Sequence, residues 1–300
     1  MKTAVLILFA LAAAISPLSG APVRLWEGKA PLAKGDAPHD IPVIEAFLPG
    51  FGGKMRTAMV IFPGGAYYML ADGHEGRDYA KFFNQYGIAA FVVHYRLGQD
   101  KLGAYRHPAM LMDGQRAVRY VRSNAEKFGI DPNRIGVICS SAGGHLAATV
   151  LTGFDYGDAA SSDPVEQVSS RPDFGVLCYP VISMLEPLAH KGSKKCLLGE
   201  NPGEDLCREL SAELRVKADT PPCFIWHTVE DKQVPVENSI VFAEALAKHK
   251  IPHELHLFSF GSHGLGLNSK SFVRSNAGAW DDMLICWLLQ NGFYEIKAGE

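Results

Sequence analysis

One stretch constrains this chain more than any other: Ile135-Gly136-Val137-Ile138-Cys139-Ser140-Ser141-Ala142-Gly143-Gly144-His145-Leu146-Ala147. An apolar run passes straight into a helix-prone one through a turn of small residues. So tight a turn needs small residues two before and two after its apex, the pattern G-x-S-x-G, and it presents the apex serine hydroxyl at the end of a sheet. With Ser141 at the apex, the later small position is Gly143 and the earlier one is Cys139 instead of glycine. Cysteine is small enough to be tolerated there. The N–H of Ala142, at the helix N-terminus, then faces a developing oxyanion. A plainer reading competes: a Ser- and Gly-rich helix start with Ser140 or Ser141 as N-cap. Ser140 fits the apex less well, because Ala142 and Gly143 then fall in the wrong places.

The flanking sequence alternates between two kinds of segment. Runs 43–48, 57–62, 88–94, 134–139, 174–179, 223–228 and 253–258 read as strands. Several are apolar without a break, as strands covered on both faces are. Between them, 75–86, 108–128, 143–151, 236–249 and 277–290 read as helices. The clearest is 108–128, where Leu111, Val118, Val121, Ala125 and Phe128 keep helical spacing while Arg116, Arg119 and Arg122 fall largely elsewhere. Residues 22–42 read as an extended arm, 153–172 as a polar surface loop and 186–215 as weak helices and turns. Strand–helix alternation predicts an α/β fold, a mainly parallel twisted sheet with helices on both faces. Its strand C-termini share one edge, where sites form.

A serine nucleophile needs a base, and the base an orienting carboxylate. On a sheet of this kind the order along the chain is Ser, acid, His. Asp231 lies just past the run 223–228, with Glu230 as its rival, a solvated loop charge on the plainer reading. His227, at the end of that run, reads as structural. After the run 253–258 comes Gly261-Ser262-His263-Gly264, a Gly-flanked loop before the last helix, which makes His263 the base. His249, His253 and His256 fall earlier, on the helix or strand. The second oxyanion element follows an early strand. Phe62-Pro63-Gly64-Gly65-Ala66-Tyr67-Tyr68 stands in that place, with Gly65 and Ala66 as the N–H donors beside Ala142. By itself it is a plain Pro-Gly-Gly turn.

Composition narrows the rest. The 300 residues are 47% hydrophobic and 20% charged, which suits a globular protein. Net charge is −3 and no basic stripe stands out, so nucleic acid is a poor partner. Lys2 followed by the 12-residue apolar run Ala4 to Ile15 reads as a signal peptide over 1–20, too short to span a bilayer, and implies a secreted or periplasmic protein. Residues 21–300 then form one domain, with no stable membrane span. Of six cysteines, Cys196 and Cys207 lie close enough in sequence to pair after export. Cys139, Cys178, Cys223 and Cys286 lie in apolar runs and read as buried free thiols. No Cys/His grouping has zinc spacing, so neither metal nor cofactor is expected.

Together the segments resemble the hormone-sensitive-lipase-like and acetyl-xylan-esterase branch of the α/β-hydrolases. The marks are Pro63-Gly64-Gly65-Ala66-Tyr67, Val93-His94-Tyr95-Arg96-Leu97, His107-Pro108 followed by Asp113, Ser141-Ala142-Gly143-Gly144-His145-Leu146-Ala147, Asp231 followed by Val234-Pro235, and Gly261-Ser262-His263-Gly264. The arm Leu25-Trp26-Glu27-Gly28-Lys29-Ala30-Pro31 is similar to the start of secreted carbohydrate esterases of this branch. The resemblance implies a serine esterase removing acetyl, or else feruloyl, groups from a plant polysaccharide such as xylan, with an acylated carbohydrate or small ester as its partner. Departures are Cys139 for the usual glycine and Ala66 where a third glycine often stands. The Ala66 methyl leads us to expect a preference for small acyl groups. Two other readings stay open: a serine peptidase on the same fold, and a non-catalytic binding protein that kept it.

Overall fold

A computed structural model describes residues 18–50, 55–267 and 275–295. The apolar run that carries the signal-peptide expectation lies outside them. The strands are β1 Leu18–Ser19, β2 Val23–Arg24, β3 Val43–Leu48, β4 Arg56–Phe62, β5 Ala89–His94, β6 Ile130–Ser140, β7 Phe174–Cys178, β8 Cys223–Thr228 and β9 His253–Phe258. They form a continuous sheet in the order β1-β3-β5-β4-β6-β7-β8-β9, with β2 pairing with β3. The pairs from β5 through β9 are parallel, and β3 runs antiparallel to β5. The helices are α1 Asp78–Gln85, α2 Ala109–Ser123, α3 Ala125–Phe128, α4 Ser141–Gly153, α5 Lys191–Leu198, α6 Glu204–Glu209, α7 Glu237–Lys248 and α8 Trp280–Gln290.

Successive side chains on a strand point to opposite faces, so the unbroken apolar runs build two cores. Ala58, Val60 and Phe62 of β4 join Val118 and Val121 of α2, Leu146 of α4 and Phe242 of α7 on one face. Met59 and Ile61 join Tyr79 and Phe83 of α1 and Trp280 and Leu284 of α8 on the other. The central helix α4 is buried from Ser141 to Thr152, which is why its apolar residues run all the way round. Its first turn therefore sits at the C-terminal edge of the sheet with little freedom to move.

Several expectations are corrected in detail. The helix expected from Glu75 begins as a five-residue π-turn, Gly73–Arg77, before α1. The expected turn at Asp131-Pro132 is an irregularity within β6: Ile130 pairs with Arg56 and Ile135 with Ala58, so four residues, 131–134, face the single Thr57. Tyr179 leaves its strand because its φ is +38°. The polar loop 153–172 is a surface loop, pinned by the arginines of α2. Arg116 pairs with Asp163 and Glu166, each at 2.7 Å, Arg119 with Asp155, and Arg122 with Asp173 at 2.9 Å. Cys196 and Cys207 are both free thiols, so the pairing that their spacing allowed is not formed. Cys139, Cys178 and Cys223 are buried as expected, but Cys286 is exposed. It stands two residues from each of the packed Leu284 and Leu288, on roughly the opposite side of α8.

Candidate active site

The turn between β6 and α4 has the geometry its sequence demands. Ser140 is extended, with φ −135° and ψ 145°, and Ser141 has φ +53°, a conformation that residues other than glycine rarely adopt. The surroundings enforce it. A Cβ on Gly143 would stand 2.1 Å from the Phe62 carbonyl oxygen, so only glycine fits. The Ser140 hydroxyl is held 3.0 Å from Tyr79 Oη. Cys139 points away from Ser141's cleft into the core beneath α2 and α4, and its Sγ–H donates to Val176 O at 3.3 Å. Burial pushes that thiol well above its ordinary pKa, so it is a small apolar filler and not a second nucleophile.

Ser141, His263 and Asp231, separated by up to 122 positions, meet at this edge. His263 Nε2 lies 2.8 Å from Ser141 Oγ, and His263 Nδ1 lies 2.5 Å from Asp231 Oδ2. Asp231 is fully enclosed by donors. Oδ1 accepts the N–H groups of Gln233 and Val234 at 2.9 and 3.0 Å. Oδ2 also faces His227 Nε2 at 3.2 Å. Burial alone would raise the Asp231 pKa; hydrogen bonds from His227 and His263 instead hold it far below the usual carboxylate range. His227 is structural, as expected, but its role is specific: Nε2 also faces Val234 O, and Nδ1 meets Ser239 Oγ at 2.8 Å. The rival Glu230 is exposed.

On the opposite side of Ser141 stands the turn after β4. Gly65 has φ +123°, and Ala66 and Tyr67 have φ +58° and +57°. A Cβ on Gly65 would stand 2.1 Å from Met69 O. The turn is tied at both ends. Tyr95 Oη donates to Pro63 O at 2.6 Å, and Gly98 N–H to Tyr67 O at 2.7 Å. Tyr67 Oη lies 2.9 Å from His145 Nδ1, and His145 Nε2 lies 2.7 Å from Leu210 O. A carbonyl only accepts, so Nε2 carries the proton and the Tyr67 hydroxyl donates to Nδ1. Burial drives the His145 pKa down to about 4, which keeps that ring neutral. Among the described residues, no acceptor is recorded for the N–H of Gly65 or Ala66. Ala142, at the second position of α4, lacks an intrahelical acceptor for its N–H.

These groups border one cleft of about 550 Å³, lined among others by Gly65, Ala66, Glu75, Ser141, His190 and His263. A second cleft of about 630 Å³, beside Asp36, His39, His94 and Arg96, contains no such serine–imidazole pair. Every residue singled out for the site thus lies at one strand edge. His190, Tyr67, His145, Tyr179 and Glu75 escaped the sequence reading of the site. Of these only His145 and Tyr67 fell within the quoted motifs. His190 caps α5: its Nδ1 meets Ser193 Oγ at 2.8 Å and the Ser193 N–H at 3.3 Å. Burial and the neighbouring His263 lower its pKa. Among the described residues, no three His, Cys, Asp or Glu side chains group to hold a metal ion.

Comparison with known proteins agrees with this architecture. The BD-FAE family model matches residues 45–246. The chain superposes with a TM-score of 0.86 and 45% identity on the acetyl ester-xyloside bifunctional hydrolase of Caldicellulosiruptor lactoaceticus, covering 94% of this chain and 100% of that one. It is 39% identical over 239 residues to endo-1,4-beta-xylanase B of Butyrivibrio fibrisolvens, covering 79% of this chain and 37% of that protein. It is 35% identical over 216 residues to the acetylxylan esterase of Xylanibacter ruminicola, covering 71% of this chain and 42% of that protein. The chain therefore spans about two fifths of the length of those two curated relatives. The family match, which extends over the sheet from β3 to α7 and includes Ser141 and Asp231, identifies the chain as a member of the BD-FAE family with an α/β-hydrolase fold.

Proposed function

We propose that this chain is a serine carboxylic-ester hydrolase that removes acetyl groups from an acylated carbohydrate such as xylan. The observation that carries the reading is the relay from Ser141 Oγ through both nitrogens of His263 to Asp231. It faces free N–H groups across the cleft. In this mechanism Ser141 Oγ attacks the acyl carbonyl while His263 Nε2 takes its proton. Asp231 fixes the ring with Nδ1–H inward and stabilises the imidazolium that forms. The oxyanion is received by the N–H groups of Ala142, Gly65 and Ala66. His263 then returns the proton to the leaving sugar hydroxyl. Water, activated by the same imidazole, releases the acid from the acyl-enzyme. No step calls for a cofactor or metal.

The substrate class is supported by two similar proteins, an acetylxylan esterase and an acetyl ester-xyloside bifunctional hydrolase. The sequence supports export through the run Ala4 to Ile15, and residues 21–300 as one catalytic unit. Acetate release from acetylated xylan, together with hydrolysis of p-nitrophenyl acetate and octanoate, tests the reading in wild type and Ser141→Ala. We expect release of acetate, faster turnover of the acetyl ester, and a loss on the order of 10⁶ in kcat for the variant with its fold intact. Residual activity near wild type in Ser141→Ala would overturn the nucleophile. Faster octanoate turnover would overturn the acyl preference.

A further inference from the structure

The chemistry above employs one carboxylate, Asp231. A second, Glu75, is 3% exposed and borders the same cleft. It sits on the π-turn Gly73–Arg77, an irregularity often found at functional sites. Its two oxygens hold the two sides of the site. Oε2 accepts the Gly64 N–H at 3.0 Å, one residue before the proposed oxyanion donors. Oε1 accepts the Tyr179 hydroxyl at 2.8 Å. That hydroxyl accepts the Gly266 N–H at 2.9 Å, three residues beyond His263. The Tyr179 ring also meets His263 edge-on, with centroids 5.1 Å apart.

The contact is close-packed. A Cβ on Gly64 would stand 2.4 Å from Glu75 Oε2 and 3.0 Å from Ser141 Cβ. Carboxylate, loop and nucleophile are thus layered with no room for water between them. The His74 ring approaches Oε1 only to 3.7 Å, beyond hydrogen-bond reach, and is 43% exposed. The groups that bind Glu75 are therefore a peptide N–H from the loop after β4 and a phenol from the end of β7, which in turn holds the His263 loop through Gly266. We propose that Glu75 is a positioning residue that sets the spacing between the oxyanion N–H groups and the His263 imidazole, so that both close on Ser141 together. It does not touch the reacting atoms. The inference rests on Ser141 being the nucleophile.

An amide can present its oxygen to only one of the two donors. Glu75→Gln must therefore either release the Gly64 N–H or reverse the bond to the Tyr179 hydroxyl, and in both cases it removes the charge; Tyr179→Phe removes the second arm, together with the acceptor of the Gly266 N–H, and keeps the ring. The test measures p-nitrophenyl acetate turnover by the full chain, with kcat expressed per serine titrated by a fluorophosphonate. For Glu75→Gln we expect kcat per titrated site to fall on the order of 10- to 100-fold, as for loss of a charge-assisted hydrogen bond, with KM within about three-fold. Tyr179→Phe should lose less, and the double variant less than the product of the two single losses, since the phenol acts largely through the carboxylate. A merely structural role would reduce the number of titratable serines and leave kcat per site unchanged; that result overturns the inference. So do losses that multiply in the double variant. Should Glu75→Gln fail to fold, Tyr179→Phe decides, and kcat per site within two-fold of wild type rejects the proposal. Failure of wild type to label would instead sink the nucleophile assignment itself.

Discussion

Two buried carboxylates flank Ser141, and they differ in what they face. Asp231, past the end of β8, is bound by two imidazoles and two backbone N–H groups. Glu75, past the end of β4, is bound by one N–H and one phenol. Both accept on both oxygens; an amide at Asp231 must lose an N–H partner, whereas an amide at Glu75 loses its charge and must reverse or release one bond. The first works against a ring that becomes charged during the proposed reaction. The second works against dipoles whose charge does not change. A carboxylate coupled to developing charge contributes to the barrier directly, and one coupled to fixed dipoles contributes through geometry alone.

That contrast is open to breaking. Asp231→Asn should lower kcat by about 10⁴, because the amide no longer selects the productive tautomer of His263. Stopped assays together with circular dichroism, to verify folding, would measure it. A loss under about a hundred-fold would remove the distinction from Glu75.

Acid sharpens the same contrast through stability. His145, which receives the Tyr67 hydroxyl, has its pKa lowered by burial from 6.5 to about 4. Between those values the unfolded chain binds a proton that the folded chain refuses, so stability falls as pH drops from 6.5 to 4, by on the order of 3 kcal/mol. Asp231 is lowered from 3.8, so its contribution persists above that pH and is lost only below it. The oxyanion side is therefore the first to weaken. His94, His107 and His190 are shifted in the same direction by burial. The readout is accordingly the difference between wild type and His145→Asn in denaturant melts across this range. Parallel curves would refute it.

The smallest effect is expected at Cys139. Cys139→Gly should keep kcat within about three-fold and cost roughly 1–2 kcal/mol of stability through the lost buried side chain. A large fall in kcat would mean that the thiol shapes the turn and does not merely fill space.

The sheet and the edge that carries the candidate site were legible in the sequence because both rest on short-range patterns. Strands 43–48, 223–228 and 253–258 were legible to the residue, since a proline stands immediately before each, Pro42, Pro222 and Pro252, and fixes where it can start. Ser141 was legible from its turn, and Asp231 and His263 from strand ends in a fixed order. Glu75 was not, because it looks like any acid in a polar helix start; its burial comes from Gly64 and Tyr179, which the fold alone brings near. His145 was visible in a motif but silent about its partner, Leu210, 65 positions away. The missing Cys196–Cys207 pairing shows the limit of proximity along the chain as a guide to contact. At Cys286, an apolar stretch hid which side of α8 faces solvent.

The serine and its imidazole come from β6 and from beyond β9, the outermost strand of the parallel run, and are 122 positions apart. During synthesis the turn at Ser141 leaves the ribosome long before His263. A nascent chain arrested anywhere in between carries the proposed nucleophile without its proposed base. On the proposed mechanism, hydrolytic competence is therefore deferred until β9 and the loop beyond it have emerged, and the first turnover reports that this strand has been laid down.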